Sequence, residues 1–154
     1  MNRRIQRDFA LTLMAALIVV LPRTAFAQEP QTTFAQMSAG VAKGVITNSE
    51  PRVMVNGRVS EGTAEDIYAR ALVLNDGTNR LIIVTYDLNC LDVATPILRQ
   101  RVRDELGIDP SRLILLATHN HNAPIQINPD NFDYGEWLAE RILELIEEAI
   151  ANER

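Results

Sequence analysis

Cysteine is almost missing from this 154-residue chain: Cys90 is the sole example. A single thiol excludes an internal disulfide framework and any metal site built from clustered cysteines. Histidine is nearly as scarce, with two residues, so histidine chemistry is confined to one place. No apolar run reaches the roughly 18 residues of a membrane-spanning helix. The sequence also lacks a G-x-S-x-G elbow, a P-loop, a dinucleotide fingerprint, an H-E-x-x-H helix, an internal repeat and any low-complexity tract. Positive charge is short as well. Beyond residue 27 the chain keeps 11 basic against 19 acidic groups, a net charge of −8. Such a surface repels phosphate backbones and anionic lipid, which argues against nucleic acid and polybasic membrane docking.

What is present is ordinary globular composition, 47% hydrophobic and 23% charged. That is enough for one core and no more than one domain. The chain opens with Arg3, Arg4 and Arg7, then the uncharged run Phe9–Leu21, then Pro22 and Ala25-Phe26-Ala27. This is the order of a secretory leader with a small-residue cleavage point. Thirteen residues make a helix of about 20 Å, too short for a hydrocarbon core of about 30 Å. Residues 1–27 are therefore expected to be a cleaved signal peptide, by the general or the twin-arginine route. Residues 28–37 are a polar lead-in, and the mature protein is expected in the periplasm or outside the cell.

The mature chain reads as α/β. Residues 38–46 (SAGVAKGVI) form a first strand, and 47–66 a long loop. Residues 67–74 and 80–88 pair as a hairpin around the Asp76-Gly77 turn. A helix over 95–106 follows, with Thr95 as N-cap, Pro96 at the first helical position and Gly107 as a left-handed C-cap. Residues 113–118 make a short apolar strand. Strand 80–88, helix 95–106 and strand 113–118 form a βαβ unit with parallel strands. The last helix spans 134–152. Trp137, Leu138, Ile142, Leu145, Ile146 and Ala149 mark its buried face, and Glu140, Glu144, Glu147 and Glu148 its solvated one.

Candidate chemistry gathers in Thr118-His119-Asn120-His121-Asn122-Ala123-Pro124. Histidines at i and i+2 of an extended segment project to one side. They stand at the carboxyl end of a parallel strand, where open α/β sheets place ligands. Two imidazoles there suit a shared metal such as zinc or one pocket; the other readings are an idle pair on an exposed loop, or buried histidines that are merely hydrogen-bonded. Asp87, near the end of the neighbouring strand, suits either an orienting partner for a histidine or a strand-end acceptor of backbone hydrogen bonds. Cys90 reads as a small buried thiol, with a histidine-activated nucleophile as the other reading.

Several segments together, in order, resemble the neutral/alkaline non-lysosomal ceramidase family. Ala39-Gly40-Val41-Ala42-Lys43-Gly44-Val45-Ile46-Thr47 is similar to its opening AGVAKxDIT strand. Tyr68–Leu74 with Asp76-Gly77, the run ending Tyr86-Asp87-Leu88, and Leu106-Gly107-Ile108 follow. Ala117–Pro124 is similar to its ATHTHSGP signature. The resemblance implies a secreted zinc amidase that cleaves the N-acyl bond of ceramide or a related lipid-like or small N-acyl amine. It implies Zn2+ as cofactor, His119 as a metal ligand and His121 as a pocket residue beside the substrate.

The departures are specific. Asn120, Asn122 and Ala123 replace the family's Thr, Ser and Gly. The family's remaining ligands, another His, a Glu and a Tyr, come from far downstream, and no third histidine exists here. The resemblance covers the first part of the family's domain. The expectation is thus an incomplete domain: a fragment, a truncated frame or a decayed homologue. The alternative is a non-catalytic periplasmic α/β binding or relic domain with at most a weak His119/His121 metal site. An unfinished sheet edge also makes self-association an expected property.

Overall fold

The computed structural model describes residues 37–154. The expected leader, residues 1–27, and the lead-in up to residue 36 lie outside the described residues.

Four strands form one sheet in the order β1-β2-β3-β4: β1 Ser38–Val45, β2 Tyr68–Asn75, β3 Arg80–Tyr86 and β4 Leu113–Ala117. Pairing is antiparallel for β1 with β2 and for β2 with β3, and parallel for β3 with β4. The hairpin and the βαβ unit are therefore both present. The Asp76 carboxylate holds the hairpin turn, accepting from Thr78 N at 2.8 Å and Asn79 N at 2.6 Å.

Alternation decides which face each strand buries. Gly40, Ala42 and Gly44 of β1, Ala69, Ala71 and Val73 of β2, and Ile82, Val84 and Tyr86 of β3 all turn inward. Helix α2 (Phe132–Ala151) packs over β1 and β2, and α1 (Ala94–Leu106) packs against α2. The core joins these strand residues to Leu98 and Val102 of α1 and to Leu138, Ile142, Leu145 and Ile146 of α2. The approach of α2 to β1 is close. A Cβ at Gly40 would collide with the carbonyl oxygen of Ala149, and one at Gly44 with Leu145 and Arg141. The small residues of SAGVAKG are thus a docking groove for a helix. No helix among the described residues is long and apolar enough to cross a membrane.

Helix α1 starts earlier than its sequence signals. Val93 stands at the N-cap already in helical geometry, and no side chain caps it. Thr95 lies inside the first turn, where its hydroxyl and its amide both donate to the carbonyl of Leu91. Pro96 consequently takes the third helical position. The other end is as expected: Gly107 is left-handed (φ 65°), and the amides of Gly107 and Ile108 close back on Arg103 and Val102.

Trp137 is a second correction. It is 37% exposed, while Tyr134, one turn earlier, is fully buried and donates to the carbonyl of Ile46 at 2.8 Å. The two rings stack at 5.7 Å. The core takes the smaller ring because its hydroxyl has an acceptor there, and Trp137 lies over it.

The loop from Thr47 to Asp66 is tied to the start of α2 by polar side chains. Buried Arg52 donates to Asp133 at 2.6 Å and to Glu50 at 3.0 Å. Buried Asn131 donates to the carbonyls of Val53 and Ile125 and accepts from Val53 N. Met54 forms a bridge with Pro124, so the loop reaches the segment that follows β4.

Candidate metal centre

Beyond Ala117 the chain keeps its hydrogen bonds to the β3 side. Thr118 N donates to Tyr86 O and Asn120 N to Leu88 O, each at 3.1 Å. Between them His119 is left-handed, with φ 62°. The histidine segment is therefore not the extended i, i+2 arrangement expected from spacing. The Asn120 side chain then accepts from Asn122 N at 2.8 Å and tightens the bend. A left-handed histidine costs about 1–2 kcal/mol, strain that proteins concentrate at functional sites.

The bend achieves by another route what alternation would have given. His119 Nε2 and His121 Nε2 stand 3.2 Å apart, with ring centroids 4.8 Å apart and planes inclined by 68°. Both rings are exposed. Two ligand nitrogens on a tetrahedral zinc, with bonds near 2.05 Å, lie about 3.3 Å apart. The separation thus matches two adjacent positions around one ion, and equally a nitrogen-to-nitrogen hydrogen bond. Among the described residues, no group of three His, Cys, Asp or Glu side chains gathers that could hold a metal alone.

Asp87 does not touch either imidazole. Its carboxylate accepts from Tyr68 N at 3.1 Å and pairs with Arg70 at 3.2 Å. It meets the histidine segment through its backbone, whose carbonyl accepts from Asn120 Nδ2 at 3.3 Å. The group beside His119 is Asn89. Its side-chain nitrogen lies 3.3 Å, and its carbonyl oxygen 3.4 Å, from His119 Nδ1. Sequence reasoning missed Asn89, although the parallel register carries a signal. Tyr86 sits opposite Ala117, and two more residues along each strand bring Leu88-Asn89 beside His119.

Cys90 is half-buried, and its thiol donates to the Asp92 carboxylate at 2.9 Å. Burial, then that hydrogen bond, push its pKa up to about 11. A thiol held protonated is a poor nucleophile.

A cleft of about 690 Å³ opens beside the segment, between the Thr47–Asp66 loop and the strand ends. Thr118, Asn120 and Asn122 line it, facing Tyr68, Arg70 and Asp87, and neither histidine does. Two of the residues that depart from the ceramidase signature, Asn120 and Asn122, are therefore the ones that form its wall.

Fold and site define an α/β layer, helices on one sheet face, with a histidine pair at the carboxyl end of a parallel strand. Solved structures of similar fold include ceramidases. The chain is similar to the neutral ceramidase of Pseudomonas aeruginosa at 22% identity and a TM-score of 0.63, covering 77% of this chain and 22% of that one. It is similar to a ceramidase complexed with C2 at 21% identity and a TM-score of 0.60, with the same coverage. The likeness shows the shared fold and bears out a partial resemblance. The chain spans just over a fifth of the length of those ceramidases. No family model and no curated protein sequence matches it.

Proposed function

We propose that this chain carries the opening part of a secreted, zinc-dependent amidase of the neutral ceramidase type, acting on the N-acyl bond of a lipid-like amine. The observation that carries the reading is the 3.2 Å approach of His119 Nε2 and His121 Nε2 at the end of β4, in a fold shared with ceramidases. When bound, zinc supplies a hydroxide at neutral pH and polarises the amide carbonyl. His119 would hold the metal through Nε2, and His121, whose Nε2 lies 3.2 Å from it, would stand beside the substrate. Asn122 lines the cleft, where its amide can hold the polar part of the substrate, while the Asn120 side chain is engaged with Asn122 N and Asp87 O. The remaining ligands come from polypeptide other than residues 37–154. Export is part of the reading, resting on the leader pattern of residues 1–27.

The test begins with the full native product. Competition against a chromogenic chelator is expected to give one zinc per chain, with His119→Ala weakening it more than tenfold. Zinc binding unchanged by His119→Ala would overturn the ligand role. Fatty acid released from an N-acylsphingosine, and abolished by chelation, would establish the activity. Zinc bound without turnover by the full native product would instead favour a non-catalytic binding domain. Intact mass of the protein from the periplasmic fraction is expected to be lower by 27 residues, and an uncleaved cytoplasmic product would refute export.

A further inference from the structure

We propose that two copies of this chain join edge to edge through β4, antiparallel about a twofold axis at Leu116, so that their sheets become one. Nothing in this pairing depends on the zinc reading above.

Alternation along the strand decides which backbone groups of β4 are free. Thr118 N donates to Tyr86 O, so Ile114, Leu116 and Thr118 turn their N–H and C=O toward β3. Those of Leu113, Leu115 and Ala117 turn to the outer edge. At Leu113 they are already used: its amide donates to Pro110 O, and its carbonyl accepts from Arg99 Nη1 at 3.2 Å. Leu115 and Ala117 have no such cover among the described residues. Just beyond Thr118 the chain bends at His119, with φ 62°, and leaves the strand. The free edge therefore reduces to the N–H and C=O groups of Leu115 and Ala117.

So short an edge is its own complement. About a twofold axis at Leu116, Leu115 of each copy faces Ala117 of the other, and each such pair exchanges both of its hydrogen bonds. Every free group of both copies is then satisfied. Moving the axis to Leu115 would set Ala117 against the covered groups of Leu113, and moving it to Ala117 would set Leu115 against the bend at His119. The side chains agree with the middle register. Leu116, 48% exposed, meets Leu116 of the second copy in a non-hydrogen-bonded pair, and Ile114, 39% exposed, lies diagonally from it. The strand LILLA holds neither charge nor proline, the usual guards of an open edge. The protein is acidic overall, yet residues 110–119 carry no acidic group, and Arg112 falls opposite Asn120 rather than another cation. Because the end of the chain already covers β1, the sheet grows on one side only. Association therefore stops at a dimer instead of running on as a filament.

Sedimentation velocity of the full native product provides the test. An interface this small falls in the weak, reversible class, and a monomer–dimer equilibrium is expected over roughly 5 to 500 µM. Leu116→Lys sets two ammonium groups against each other across the axis. It is expected to weaken association at least about tenfold, while its urea midpoint, taken on dilute protein, stays at the wild-type value. Cysteines read the register. In a Cys90→Ser background, Leu116→Cys is expected to give a disulfide-linked dimer with diamide, which accepts the two hydrogens, because Cα atoms about 4.5 Å apart lie within bridging range. Ile114→Cys is expected to stay unlinked under the same treatment, since its counterpart lies four residues further along, about 14 Å away. A monomer throughout the concentration range would overturn the inference, with β4 taken by other polypeptide. A dimer indifferent to Leu116→Lys would also overturn it by placing the interface elsewhere, and so would linkage through Ile114→Cys as efficient as through Leu116→Cys.

Discussion

The two edges of the sheet are finished differently. At the β1 edge the end of the chain returns to cover the strand. Arg154 exchanges two backbone hydrogen bonds of 3.1 Å with Ala39, Asn152 Nδ2 donates to Val41 O, and Arg141 reaches Val45 O. At the other edge β4 has, among the described residues, a single neighbour, β3. Its continuation bends sharply at His119 and displays the histidine pair. The sheet's two faces repeat the contrast. One is sealed by α1 and α2. On the other, Val41 (62% exposed), Val45, Ile114 and Leu116 (48%) lie open, with Leu72 and Ile83 half-buried between them. The described residues build a complete fold at β1 and under the helices. At β4 and on the open face they present apolar surface next to the candidate chemistry.

The contrast can be broken from its closed side. Gly40→Val places side-chain atoms on the Ala149 carbonyl and is expected to destabilise the fold by about 3 kcal/mol or more. Urea denaturation at the wild-type midpoint would show that α2 does not press on β1. Ile82→Ala empties a fully buried position on the helix-covered face, with an expected loss of about 3 kcal/mol in the same measurement.

Glu153 is the next smaller effect. It accepts from Arg80 Nε at 2.6 Å, from Asn75 Nδ2 at 2.6 Å and from Ser38 Oγ, joining the first three strands to the end of the chain. Glu153→Ala is expected to cost about 1.5 kcal/mol. The Arg80 guanidinium first, then the Asn75 amide, hold its carboxyl below the ordinary glutamate range. A carboxyl depressed in the folded state stabilises fully above its unfolded pKa near 4.3 and stops doing so as pH falls through its lower folded value. Thermal melts between pH 5 and pH 3 should therefore decline less steeply for Glu153→Gln than for wild type. Parallel curves would remove the ion pair from the account.

The smallest effect on stability belongs to the open side. Leu116→Lys is expected to change folding free energy by no more than about 0.5 kcal/mol while visibly lowering binding of an apolar fluorescent dye. A loss comparable to that of Ile82→Ala would mean that the two faces are equally packed.

Much of the fold was legible in the sequence because strand alternation, the Asp76-Gly77 turn and the Gly107 cap are local signals. The helix start was misread at Thr95 because Val93 is already wound, which no residue type announces. Trp137 was misread because periodicity ranks ring size above the acceptor that waits for the Tyr134 hydroxyl at Ile46. At the site, the pairing of His119 with His121 followed from spacing, but its geometry did not. The left-handed backbone at His119 is flanked by hydrogen bonds to Tyr86 and Leu88, and Asn89 arrives from the segment after β3, 30 residues away. Asp87 illustrates the same limit: its carboxylate is taken by Tyr68 N and Arg70, partners that only the antiparallel β2–β3 register brings near.

The return of residues 152–154 to Ala39 and Val41 also bears on assembly. Backbone groups of β1 that a foreign strand would seize are already engaged by this segment. Growth of the sheet through β1 would first have to peel it away.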